Sequence, residues 1–247
     1  MTLDDAALSL LIFAAALLYS SVGHAGASGY LAAMALFGLP PEAMRPSALA
    51  LNVLVGSLAF YRYSKAGQGD FRLLLPFIAG SVPMAFAGGL IHVPADVYRP
   101  LLGIVLLISA VQFLRTARRA VISDIMARAP HWAVALTCGA VLGLLSGLTG
   151  TGGGIFLSPL LLLMGWAETR RASGVAAGFI LANSIAGLAG TTITYGALPT
   201  ALPVWAVAAV LGGLIGTQLG TRALPVPGLR TALAAVLVIA AAKMLLA

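Results

Sequence analysis

The sequence predicts an all-α integral membrane protein, a polytopic helical bundle built from two repeated halves. Two observations carry this prediction. Hydrophobic residues make up 60% of the 247 residues and charged residues only 9%, and the mean hydropathy is +1.03, outside the range of soluble domains. A glycine-rich break also occurs twice inside apolar sequence, as Gly23-His24-Ala25-Gly26-Ala27-Ser28-Gly29 and as Gly147-Leu148-Thr149-Gly150-Thr151-Gly152-Gly153-Gly154. Inside lipid an irregular backbone survives only where protein or a water-filled cavity satisfies its polar groups, and two such breaks in matching places point to a transporter's binding site.

The first apolar segment, at about 8–22, has the length of a signal peptide, but Asp4 and Asp5 stand where positive charge should be. It therefore reads as a retained membrane segment. Further apolar segments follow at about 30–39, 44–61, 72–91 and 99–114, and then at about 132–147, 154–165, 172–190, 203–221 and 230–246. The second five repeat the first five. Glu42-x-x-Arg45-x-Ser47 registers on Glu168-x-x-Arg171-x-Ser173, and Pro94-x-x-x-x-Arg99 on Pro225-x-x-x-x-Arg230. Residues 1–115 thus form the first membrane repeat, 116–130 a basic linker and 131–247 the second repeat.

Short loops rich in Lys and Arg stay cytoplasmic, which places Arg62, Lys65 and Arg72 on the same face as Arg115, Arg118, Arg119 and Arg128. In the second half Thr191 to Leu202 is uncharged, whereas Arg222 and Arg230 follow the next span, so the two halves read as inverted. Inversion requires each opening pair of segments to enter and leave by one face. Lengths favour such hairpins, since segments of about ten to fifteen residues reach only half to three quarters of a hydrocarbon core roughly 30 Å thick. A parallel duplication is the alternative.

Composition also narrows the function. The formal charge of +7 lies in arginines between apolar runs, where it sets orientation, and no basic stripe interleaved with aromatics suggests nucleic acid. Little sequence remains for a soluble catalytic module. Cys138 is the single cysteine and reads as a small buried apolar residue, and neither a metal site nor a cofactor is expected. Gly80, Pro83, Gly88 and Gly89, with Gly212, Gly213, Gly216 and Gly220, read as positions of close helix approach.

Asp4, Asp5, Glu42, Asp70, Asp96, Asp124 and Glu168 are all of the carboxylates, and each falls at a terminus or segment edge. Without an embedded carboxylate, cation coordination is disfavoured. The midplane offers instead backbone N–H groups at two helix starts, hydroxyls, two amides and one histidine, a set that suits an anion. The candidate substrate-binding residues are Gly26, Ser28, Gly29, Thr149, Thr151, Gly152, Gly153 and Gly154 of the loops, with His24, Arg45, Asn52 and Asn183. His24 can bind an anion, carry a proton or serve a structural role. Arg45 and Arg171 can draw an anion inward or anchor the interface, and Asn52 and Asn183 can face the substrate path or cross-link helices. A dinucleotide fingerprint fails, because Ile155 stands where its third glycine should be.

Three stretches resemble the TauE/SafE sulfite exporter family, also called the TSUP family of anion transporters. They are Tyr19-Ser-Ser-Val-Gly-His24-Ala-Gly-Ala-Ser-Gly29-Tyr-Leu, Arg45-Pro-Ser-Ala with Asn52, and Gly143-Leu-Leu-Ser-Gly-Leu-Thr-Gly-Thr-Gly-Gly-Gly154-Ile-Phe-Leu-Ser-Pro159. The first loop departs from the glycine run often seen there, with Ala25, Ala27 and Ser28. The resemblance implies multi-pass placement in the bacterial inner membrane and transport of sulfite, sulfonates or related small anions, with the lipid bilayer as surroundings and the proton as coupling ion. A homodimer is an assembly the sequence leaves open. Rival readings are an anion channel and an intramembrane serine protease using Ser28 of Gly26-Ala27-Ser28-Gly29, which would need a histidine from another span as its base.

Overall fold

Apolar length and glycine breaks divide the chain into ten helices. The computed structural model describes residues 3–118, 128–196, 198–221 and 227–246, and every regular element among them is an α-helix. In order these are α1 (Leu3–Ser20), α2 (Ala27–Leu36), α3 (Pro41–Lys65), α4 (Phe71–Leu90), α5 (Ala95–Arg118), α6 (Trp132–Thr149), α7 (Gly154–Leu163), α8 (Thr169–Tyr195), α9 (Leu202–Thr221) and α10 (Pro227–Leu246). Each coincides with one of the ten expected segments. Helix α5 runs a few residues into the expected linker; Arg119, Asp124, Arg222 and Pro225 lie outside the described residues.

Six helices, α3, α4, α5, α6, α8 and α9, are long and apolar enough to cross a membrane. Large apolar side chains such as Leu10, Ile104, Val141, Val207 and Ile239 stand exposed on the outside of the bundle, where lipid is the fitting solvent. Helices α2 and α7 have 10 residues each, which at about 1.5 Å per residue spans only half of the hydrocarbon core. Each short helix sits at the centre of its own apolar cluster. Tyr30, Met34, Leu51, Leu106 and Leu237 gather around α2, and Phe77, Leu157, Leu161 and Phe179 around α7.

The two halves exchange their opening helices: α1 packs on α9 of the second half, and α6 on α4 of the first. Both contacts depend on missing side chains. A Cβ added at Gly139, Gly143 or Gly147 of α6 would run into the carbonyl oxygens of Phe77, Ser81 or Ala85 of α4. On the other side, Gly212 and Gly216 of α9 lie in the same way against Phe13 and Leu17 of α1, and Gly220 against Ser21 just past its end. Both contacts run in parallel register, and the close approach expected at Gly80, Gly88, Gly89, Gly212, Gly213, Gly216 and Gly220 is realised, whereas Pro83 is exposed.

Helix direction follows from such pairs. Phe60 lies against Gly178, Gly56 against Leu181, Asn52 against Ser184 and Leu49 against Gly187, so α3 and α8, which carry the matching Glu-x-x-Arg-x-Ser patterns, run antiparallel. This is the relation that an inverted duplication requires. The short helices turn back toward the face their hairpin entered. Tyr63 Oη donates to Ser20 O at the end of α1, while Lys243 Nζ donates to Leu36 O, setting the end of α2 beside the end of α10. At the opposite face Arg128 N donates to Gly165 O, setting the end of α7 beside the start of α6. The hairpins therefore enter from opposite faces; α6 runs on to Arg45 near the start of α3 and α1 to Tyr63 near its end, so the two turns pass each other and the starts of α2 and α7 come together between them.

Candidate functional site

The starts of α2 and α7 meet halfway along α3. Asn52 Nδ2 donates to Thr151 O of the second loop at 3.4 Å, and a Cβ on Gly56, one turn further along, would lie 3.8 Å from Ala25 of the first loop. Between the two starts lies a cavity lined by Tyr19, His24, Ala25, Gly26, Ala27, Ser28, Asn52, Thr151, Ile155 and Ile180. It is nearly closed, with room for about one water molecule.

Both short helices start at this cavity, and both starts are open. The N-cap of α2 is Gly26, with φ 116°, and that of α7 is Gly153, with φ 75°. Both are left-handed conformations that favour glycine. Neither cap carries a side chain able to accept from the first-turn N–H groups, the role Ser, Thr or Asp ordinarily fills. Each helix start therefore keeps N–H donors and a partial positive charge of about half a unit.

Polar side chains complete the lining. Ser28, Thr151, His24 and Asn52 are all buried. Thr149 Oγ1 lies 2.9 Å from Thr151 Oγ1 and donates to Leu145 O, so the first hydroxyl orients the second. Asn52 Nδ2 is shared between Thr151 O and Ser184 Oγ, leaving Asn52 Oδ1 without a hydrogen-bond partner among the described residues. A fully buried acceptor without a partner costs about 1–3 kcal/mol, a cost that a donor such as a water molecule recovers and that an anion, itself an acceptor, does not. His24 reaches across the gap. Its Nδ1 lies 3.2 Å from Val22 O, and its Nε2 lies 3.2 Å from both Gly154 O and Ser158 Oγ of α7.

Other expected residues play different parts. Gly29 is packed against Ala15 and Tyr19, and Gly152 against Asn52 Nδ2 and Ser184 Oγ, so both make room for neighbours rather than line the cavity. Asn183 is fully buried on α8 but does not line the cavity, and neither amide atom has a partner among the described residues. Arg45 also stands apart from the cavity. Its Nη1 donates to Ile91 O and Tyr195 Oη, and its Nη2 to Gly88 O and Gly147 O. Arg171 is half-exposed and pairs with Asp70 at 3.0 Å.

Sequence reasoning missed Ser158, Ser184, Tyr19 and Ile180. Ser158 carried a local signal, since it follows Gly154 by one helical turn and so faces the same way. Ser184 and Ile180 carried none, because only the antiparallel register of α3 and α8 brings them to the site.

A helical membrane bundle with two converging broken hairpins is the architecture of a membrane transporter. Comparison with known sequences agrees: a model of the family described as sulfite exporter TauE/SafE matches residues 8–244, and the chain belongs to that family. It is also 40% identical over 246 residues to "probable membrane transporter protein y4hK" of Sinorhizobium fredii (strain NBRC 101917 / NGR234), a match covering 99% of this chain and 100% of the relative. No solved structure matches.

Proposed function

We propose that this chain is a proton-coupled secondary transporter of small sulfur-containing anions, such as sulfite or sulfonates, which holds the anion between the N-termini of α2 and α7. The observation that carries this reading is the convergence of two uncapped helix starts, from opposite hairpins, on one buried cavity lined without a carboxylate. Such an arrangement binds an oxyanion through backbone N–H groups and helix dipoles. Ser28 adds a hydroxyl donor, and Thr151 adds one when its proton turns from Thr149 Oγ1 to the anion.

The antiparallel relation of α3 and α8, with the exchange of α1 and α6, suits rocking of the hairpins about a fixed site. The protease reading lacks its dyad. Ser28 Oγ lies 3.5 Å from Ser109 Oγ, whereas both nitrogens of His24 are directed elsewhere.

Proteoliposomes with imposed pH and anion gradients test the reading. Accumulation of sulfite or a sulfonate, and not of a carboxylate of similar size, is the expected result, and a reversal potential independent of the proton gradient would indicate a channel. Thr151→Val should raise KM by roughly tenfold or more, since a hydrogen bond to a charged group contributes about 1.5–3 kcal/mol. An unchanged KM in that variant would remove the second loop from the site.

A further inference from the structure

His24 is the one basic side chain lining the cavity, and its surroundings are specific about protons. Val22 O is a carbonyl and can only accept, so this contact favours hydrogen on Nδ1. Nε2 faces two groups of different capability. Ser158 Oγ can donate to a bare nitrogen or accept from a protonated one, while Gly154 O can only accept. The ring can therefore be neutral, with Ser158 donating to Nε2, or doubly protonated, with Nε2–H donating to Gly154 O. Neither state requires the ring to move.

The rest of the lining fixes when the second proton can be held. Tyr19 approaches His24 edge-on, with ring centroids 6.4 Å apart, and Tyr30 donates to Ala25 O. Both are phenols, neutral near pH 7. Helix α2 contributes Ser28, α3 contributes Asn52, α7 contributes Ile155 and Ser158, and α8 contributes Ile180, none of them charged. A buried imidazolium here has no counter-charge of its own, and a buried unpaired charge is costly. An anion between the two helix starts would supply that counter-charge.

Building on the anion-site reading above, we infer that His24 and Ser158 form a proton-loading site that fills together with the anion: Nε2 takes one proton from water as one anion binds, and the pair enters or leaves the cavity with no net charge. Ser158 is a positioning residue in this scheme, holding the neutral ring ready for the proton.

The full-length protein, carrying His92→Gln and His131→Gln so that His24 is its one histidine, is labelled with nitrogen-15 histidine and read by NMR at about pH 7.5. Methanesulfonate is the main probe because it carries no titratable proton in this range, with sulfite in parallel. Calorimetry measures binding independently. The expected result is a neutral Nδ1–H ring without anion and an imidazolium with saturating anion, with about one proton taken up per anion bound. Ser158→Ala should move the pH midpoint of ring protonation upward, since it removes the donor that favours the neutral form. Binding while the ring stays neutral would overturn this inference and leave the anion site standing. No binding of either probe would overturn the anion reading, and this inference with it.

Discussion

Arg45 and Arg171 occupy the same position of one sequence pattern, Glu-x-x-Arg-x-Ser, yet they end in opposite circumstances. Arg45, at the start of α3, is fully buried, and its terminal nitrogens donate to three carbonyls and a phenol. Arg171, at the start of α8, is half-exposed and pairs with the Asp70 carboxylate. Helix polarity explains the difference. Around Arg45, α4, α6 and α8 all terminate, so Gly88 O, Gly147 O and Ile91 O gather there as the negative ends of helix dipoles. No carboxylate is needed. Tyr195 adds its ring, 5.2 Å from the guanidinium carbon, to its hydroxyl. Around Arg171, α4 begins instead, and its N-cap Asp70 supplies the partner while also accepting from Leu73 N. One face of the bundle is thus tied by a desolvated guanidinium and the other by a surface ion pair.

The largest effect should come from Arg45→Ala. It leaves the buried carbonyls of Gly88 and Gly147, the part-buried carbonyl of Ile91 and the Tyr195 hydroxyl without their donor, so a loss of about 2–6 kcal/mol is expected, at about 1–3 kcal/mol for each of the two buried acceptors. Thermal unfolding of the purified protein reads this directly. Arg45→Lys should recover only part of it, because a compact ammonium cannot reproduce the planar fork that serves four acceptors at once. If Arg45→Ala unfolds at the wild-type temperature, the contrast between the two faces has no energetic content.

The contrast also shows what a sequence can disclose. Ten segments and two hairpins were legible, because apolar length, glycine breaks and helices too short to span are local properties. So was the core of the cavity, through His24, Ser28, Asn52 and Thr151. Arg45 was not legible: its position near a segment start is local, but the three helix ends that bury it come from distant sequence. The same holds for Ser184, which reaches Asn52 only through the α3–α8 register. Gly153 is one of the candidate substrate-binding glycines. It is required first by its own backbone, with φ 75° and Phe179 Cε1 2.9 Å from where a Cβ would stand.

A smaller effect sharpens the comparison from the phenol side. Tyr195→Phe keeps the ring over Arg45 and removes only the hydroxyl, so the guanidinium loses one of its four neutral acceptors. A cost of about 1.5–3 kcal/mol is expected, as for one hydrogen bond to a charged group. Combined with Arg45→Ala, its effect should be much less than additive, since the two side chains act through the same contact. A double-mutant cycle checks this, and full additivity would mean that the Arg45–Tyr195 bond contributes nothing.

The smallest effect belongs to the other face. Arg171→Ala removes a pair in which the arginine side chain is 55% exposed, and such surface pairs contribute about 0.2–1 kcal/mol. Salt should already screen most of it, so wild type and variant should converge in unfolding temperature as ionic strength rises toward 1 M, where the Debye length falls to about 3 Å. The difference between wild type and Arg45→Ala should barely change over the same range, because a desolvated guanidinium is shielded from counter-ions. Salt therefore separates the two arginines even where absolute stabilities are hard to compare. Equal salt responses would mean that both faces are equally open to solvent. Distinct responses would mark the Arg171 face as the one that opens at lower cost, since less is lost when its ion pair parts.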